Sequence, residues 1–168
     1  KGYDVLLKAA ANLPNDVGIY IIGGKATPEY MQLVKEYTLS NIHFVDFLSP
    51  EELKRYFIAA DLFVLPTRED IWGLVINEAM ACALPIVTTN RCVAGIELIE
   101  DGVNGYIVPT ANHDMLHSAI DKILSDEILR NNMAAENLRR IRKYTYEVSA
   151  MDVISAIENV YASACKKN

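Results

Sequence analysis

The sequence predicts a Rossmann-like α/β domain, a doubly wound parallel sheet followed by a helical C-terminal tail. Three observations predict it. Short apolar runs alternate with segments of helical periodicity, the pattern of repeated βαβ units. Those runs are continuously apolar, as in strands covered on both faces. After residue 108 only helical spacing remains.

Residues 3–12 place Val5, Leu6, Ala9 and Ala10 at helical spacing behind Asp4, and the stretch Asn12 to Asp16, with Pro14, breaks the pattern. Val17 to Ile22 reads as a buried strand that runs into a tight turn at Gly23-Gly24. The helix over 27–38 has Thr27 as its N-cap and Pro28 at its first position. Ile42 to Val45 is a second strand. Ser49-Pro50-Glu51-Glu52 is a capping box that opens a helix to about residue 59. Asp61 to Leu65 is a third strand, stopped by Pro66. A loop over 67–72 leads to a helix over 73–83. Pro85 to Thr88 and Gly105 to Val108 are the fourth and fifth strands. Helices near 112–124, 126–142 and 147–164 complete the chain, and only Lys166 to Asn168 are expected to fray.

A chain of 168 residues suits one domain with a substantial core. Its 22 acidic residues outnumber 16 basic ones, for a net charge of −6, which argues against a nucleic-acid binder and leaves room for one small basic pocket. Cys82, Cys92 and Cys165 form no disulfide framework and no C-x-x-C pair, which points to a reducing, cytoplasmic compartment. No apolar run reaches transmembrane length, and no signal peptide is expected. The chain opens at Lys1-Gly2-Tyr3-Asp4, already at a helix start. Residues 1–168 are therefore expected to be one domain, truncated at its N-terminal side from a longer protein.

Open parallel sheets bind ligands beyond the carboxyl ends of their strands. Three loops there stand out: Gly23-Gly24-Lys25, Asp46-Phe47-Leu48, and Thr67 to Gly73. In the third, Gly73 stands at a helix start, where backbone N–H groups lack partners and the helix dipole favours an anion. The N–H groups of Gly73, Leu74 and Val75 are candidate diphosphate donors. Asp70 precedes them, and Glu78 leans back toward the helix mouth. Carboxylates beside a phosphate suit a ligand with hydroxyls on both sides of it, the layout of a nucleoside diphosphate sugar. The plainer alternative is that Asp70 and Glu78 are surface acids.

Asp70-x7-Glu78, followed by Ala79-Met80-Ala81-Cys82-Ala83-Leu84-Pro85, resembles the E-x7-E and E-A-M-A-x-G-x-P signature of family 4 retaining glycosyltransferases (glycosyl transferases group 1) of GT-B fold. Lys1-Gly2 is similar to the family's K-G. Ile42 to Leu48 is similar to its base-holding strand and turn, and Glu97 to Gly105 to its E-x-I-x-x-G-x-x-G stretch. The likeness spans nearly the whole chain, as the C-terminal, nucleotide-binding half of a two-domain enzyme.

The resemblance implies transfer of a sugar from a nucleoside diphosphate sugar to an acceptor hydroxyl, with retention, in polysaccharide or glycolipid assembly. It gives Glu78 the ribose hydroxyls, Lys1 the diphosphate and Asp70 the donor-sugar hydroxyls, so that Asp70 is the candidate catalytic-site residue without being a nucleophile. Gly24, Phe47 and Leu48 would line the nucleotide end. Asp70 replaces the family's first Glu, and Glu69 beside it is the alternative acid. Ala83 stands where the family has Gly, and Arg91 to Ile96 replaces its G-G-I-P-E approach. The implied partners are the donor, an N-terminal domain that supplies the acceptor site, and an acceptor sugar or lipid-linked sugar. No cofactor or metal is expected. Alternatives are a non-catalytic sugar-nucleotide-binding module and half of a nucleotide-sugar epimerase.

Other features weigh less. Gly23-Gly24-Lys25 lacks the spacing of a phosphate-binding Walker loop. His113 and His117, four apart, have no third metal ligand in the sequence and read as a solvated face. His43 reads as a sheet residue, and Cys82 and Cys92 as packing residues. Trp72 either lines the pocket or packs the loop; Arg68 either reaches phosphate or is solvated. Arg139, Arg140, Arg142 and Lys143 either complement a helix dipole or meet anionic lipid, a peripheral membrane contact at the inner face. The last helix packs either on the N-terminal domain or on its own sheet.

Overall fold

The computed structural model describes residues 1–165, with side chains through Tyr161; the expected frayed end, Lys166 to Asn168, lies outside the described residues. Five parallel strands alternate with helices. The order is α1 (Tyr3–Ala10), β1 (Ile19–Ile22), α2 (Pro28–Glu36), β2 (Ile42–Val45), α3 (Pro50–Ala59), β3 (Phe63–Leu65), α4 (Leu74–Ala81), β4 (Ile86–Thr89), α5 (Val93–Leu98), β5 (Gly105–Val108), α6 (His113–Ser125), α7 (Glu127–Ile141), the 3-10 turn η1 (Arg142–Tyr144) and α8 (Tyr146–Cys165).

Hydrogen bonding divides the strands into two sets. β1 pairs with β2, in register Ile19 to Ile42, and β4 lies between β3 and β5. β4 shows why its sequence is apolar without alternation. Ile86 enters a core built with α4 and α5, whereas Val87, on the opposite face, enters a core built with α1 and α6. β1 and β2 differ. Ile19 and Ile21 join the α1–α6 core, but Tyr20 is 54% exposed and stacks on His43 at 4.6 Å between ring centres. The expectation of two covered faces therefore fails for this pair, because the pleat sends Tyr20 and His43 to an exposed side, where Tyr20 also meets Tyr56 of α3.

The local signals act as their chemistry dictates. Thr27 and Ser49 cap α2 and α3, and Ser49 and Glu52 close the capping box. α4 ends in a Schellman motif: Leu84 N–H donates to Ala79 O and Ala83 N–H to Met80 O. Ala83 takes the left-handed conformation this requires, at φ +61°. α5 has no counterpart among the sequence-predicted helices. It is six residues long and holds Gly95 in its middle, so neither length nor periodicity announces it.

α8 does not pack on the sheet. Every described side chain from Tyr146 to Tyr161 is exposed, and the helix leans on η1. The reading that places it on its own sheet is thereby corrected: both faces of the sheet's central strand are already filled. No helix among the described residues is long and apolar enough to cross a membrane.

Candidate functional site

Parallel pairing brings the loops after β1 and β2 to one end of their sheet, and those after β3, β4 and β5 to one end of theirs. The loop after β3, Pro66 to Gly73, is the best held of them. Thr89 Oγ1 donates to Thr67 O at 2.7 Å, and Thr67 Oγ1 donates to Glu69 O at 2.9 Å. Asp70 forms an isolated parallel bridge with Cys92: its N–H donates to Arg91 O at 3.0 Å, and Val93 N–H donates to Asp70 O at 3.3 Å. Ala94 N–H reaches Trp72 O at 2.7 Å. These contacts spread a three-residue strand's order into the loop that follows it.

Gly73 is the N-cap of α4, at φ +92°. A Cβ there would lie 2.6 Å from Cys92 Sγ, so both the backbone angle and the space demand glycine. Among the described residues no protein group accepts from the N–H groups of Gly73, Leu74 and Val75. Gly73 itself is buried, but the turn is open to solvent around it, with Ile71 91% and Leu74 64% exposed. The three free N–H groups and the α4 dipole thus face an accessible mouth. Glu78 is exposed on the same helix.

The start of the chain docks on this loop. Gly2, at φ +77°, sits so close to Pro66 that a Cβ would be 2.0 Å from its carbonyl oxygen. Lys1 Nζ then lies 2.6 Å from Asp70 Oδ2. Arg68 donates twice to the Asp4 carboxylate, at 2.8 and 2.6 Å. That fork holds the Asp4 carboxyl below the usual range and keeps the Arg68 guanidinium charged. Arg68 is therefore not simply solvated: its guanidinium is paired with Asp4. Its sequence neighbours do not include Asp4, so no local spacing signals the pair.

The nucleotide-end candidates form a second group. Gly23 and Gly24 donate N–H bonds to Val45 O at 3.1 and 3.4 Å, which sets the turn after β1 against the end of β2. Phe47 is 85% exposed there and Leu48 half-buried. Glu69 is exposed and its side chain makes no contact with Lys1; of the two adjacent acids, Asp70 is the one that faces the cation.

Most of the remaining candidates meet partners within the chain. Trp72 donates its indole N–H to Asn77 Oδ1 at 3.1 Å, and more than a third of its surface stays exposed. His117 Nδ1 lies 3.2 Å from Ala9 O, and His113 Nδ1 3.2 Å from its neighbour Asp114, so the two rings serve different partners. Cys92 is buried with Sγ 3.3 Å from Trp72 O, and burial pushes the Cys82 thiol up. Arg139 and Arg140 are tied to Glu136, and Arg140 also to Glu100. Sequence reasoning missed the buried pair Asn104 and Asn137, which joins α7 to the ends of α4 and α5. A buried Asn carries no periodic signature of its own.

Comparison with known proteins bears on this site. The family model described as "Glycosyl transferases group 1" matches residues 1–140. The alpha-D-kanosaminyltransferase of Streptomyces kanamyceticus is 33% identical over 156 residues, 89% of this chain and 40% of that protein. The crystal structure of the C-terminal domain of a glycosyl transferase group 1 family protein (LpcC) from Francisella tularensis is 28% identical, with a TM-score of 0.78 over 87% of this chain and 80% of that one. Anabaena HepE, solved in complex with UDP-glucose, shares the fold at 23% identity, with a TM-score of 0.79 over 97% of this chain and 45% of that one. The chain spans about two fifths of the length of the curated relatives it matches.

Proposed function

Since the chain belongs to the glycosyl transferases group 1 family, with the fold of the C-terminal domain of its GT-B members, we propose that it is the donor-binding half of a retaining glycosyltransferase. The reaction is transfer of a hexosyl group from a nucleoside diphosphate sugar to an acceptor hydroxyl, in polysaccharide or glycolipid assembly. The observation that carries this reading is the open turn at Gly73, with three unpartnered N–H groups beside the Lys1 ammonium and the Asp70 carboxylate.

The chemistry follows from charge. As the glycosidic bond breaks, the sugar becomes oxocarbenium-like and negative charge grows on the departing diphosphate. The N–H groups of Gly73, Leu74 and Val75 are held in place before the reaction and stabilise that charge, together with Lys1. Asp70 accepts hydrogen bonds from donor-sugar hydroxyls, and Glu78 from the ribose. Gly24, Phe47 and Leu48 line the nucleotide end, with Glu69 at the rim. The acceptor, a sugar or lipid-linked sugar, is held by a further N-terminal domain, so residues 1–168 alone are inactive in transfer. The compartment we assign is the cytoplasm, at the inner membrane face where the acceptor is lipid-linked. The sparse cysteines support the first part, and the exposed Arg142 and Lys143 the second.

The test is calorimetric titration of wild type, Glu78→Ala and Lys1→Ala with UDP-glucose, GDP-mannose and ADP-glucose. Wild type should bind one of them, and each substitution should cost about 1.5–3 kcal/mol, the worth of a hydrogen bond to a charged group. Undiminished affinity in both variants, or no binding by wild type, would overturn the assignment.

A further inference from the structure

The Lys1–Asp70 pair joins two groups that the donor reading assigns to different parts of one ligand, the ammonium to the diphosphate and the carboxylate to the sugar. In the structure they satisfy each other at 2.6 Å. Neither can serve the donor fully while so engaged. Arg68, by contrast, gives one N–H from each terminal nitrogen to Asp4 and makes no contact with Asp70.

The two partners are not equally free to move. The Lys1 side chain is 55% exposed, whereas that of Asp70 is 17% exposed. Asp70 is also fixed through its backbone, with N–H and C=O both bonded to the Arg91–Val93 segment. Lys1 has a flexible four-carbon stem with three donors, and its backbone neighbour Gly2 packs on Pro66 and accepts from Val5 and Leu6 N–H. When the pair opens, the ammonium swings and the carboxylate stays. A half-exposed pair of this kind is weak, and a diphosphate offers the ammonium more charge and more acceptors than a single carboxylate does.

We propose that Asp70 holds Lys1 until a donor arrives, that the donor's diphosphate takes Lys1 over, and that the carboxylate thus released accepts the sugar hydroxyls. Sugar recognition then depends on prior engagement of the diphosphate, and a free sugar meets a carboxylate already occupied. This inference rests on the donor reading above and adds to it an order of events.

The experiment is a double-mutant cycle with wild type, Asp70→Asn, Lys1→Met and the double variant. Each is titrated with whichever of UDP, GDP and ADP binds wild type, and then with the matching sugar nucleotide. Asp70→Asn should tighten the nucleoside diphosphate by about threefold to fivefold, the scale of an exposed ion pair. In the Lys1→Met background the same change should give no gain. The preference for sugar nucleotide over nucleoside diphosphate should fall in Asp70→Asn. An equal gain in both backgrounds would show direct repulsion by Asp70 and overturn the proposal, as would no gain in either. Absence of any nucleoside diphosphate binding by wild type would instead strike the donor reading itself. Circular dichroism on all four proteins separates these outcomes from loss of fold.

Discussion

Asn104 Nδ2 donates to Asn137 Oδ1 at 2.7 Å across 33 residues of sequence, with both side chains fully buried. Every remaining amide group of the pair is also used. Asn137 Nδ2 donates to Leu84 O and Asn104 O, Asn104 Nδ2 also donates to Leu98 O, and Glu100 N–H donates to Asn104 Oδ1. The pair thereby clamps the far ends of α4 and α5, the two helices whose near ends build the candidate site.

Removing one amide strands several buried partners at once. Asn137→Ala should lower unfolding free energy by about 3 kcal/mol, since each orphaned buried group costs about 1–3 kcal/mol. Urea denaturation followed by circular dichroism measures it. A midpoint within error of wild type would mean that the network contributes nothing.

Ala83 bears a Cβ in the left-handed conformation that ends α4. Ala83→Gly should therefore stabilise the domain by about 0.5–1 kcal/mol, the relief of left-handed strain less the added entropy of the unfolded chain. The melting temperature should rise while nucleotide affinity stays unchanged. A fall in melting temperature would contradict the strain argument.

Gly73→Ala should do the opposite, because a Cβ there meets Cys92 Sγ at 2.6 Å and φ is +92°. The expected loss is about 2 kcal/mol of stability together with donor binding. Adding Cys92→Ala relieves the clash but not the backbone angle, so the double variant should recover part of the stability and none of the preference for glycine.

The Glu136 carboxyl is held down to about 2 by hydrogen bonds from Arg139 and Arg140, against an ordinary value of 4.5. A depressed carboxylate pKa contributes stability above the unfolded value, and that contribution disappears as pH falls through the folded one. The melting temperature should accordingly drop between pH of about 4.5 and about 2. Glu136→Gln should flatten that part of the profile, and an unaltered slope would show that other carboxylates govern it.

Local chemistry made much of this legible. Thr27-Pro28 and Ser49 to Glu52 cap their helices as their residue types dictate. The apolar run of β4 announces a strand covered on both faces. The Gly73 turn was visible as a helix start with free N–H groups, because that signal is contained in a few consecutive residues. α5 was hidden because six residues and a central glycine carry no period. The exposed face of β1–β2 was hidden because Tyr20 is apolar enough to look buried in a short run.

By itself the sequence determined the parallel α/β class and the order of its elements apart from α5, since those depend on propensity, capping and periodicity along the chain. Only the tertiary structure decided that Lys1 meets Asp70, that Arg68 pairs with Asp4, and that one buried asparagine pair secures two helices. Each of these contacts joins residues 33 to 69 positions apart. Such pairings are set by packing geometry, which no local pattern encodes.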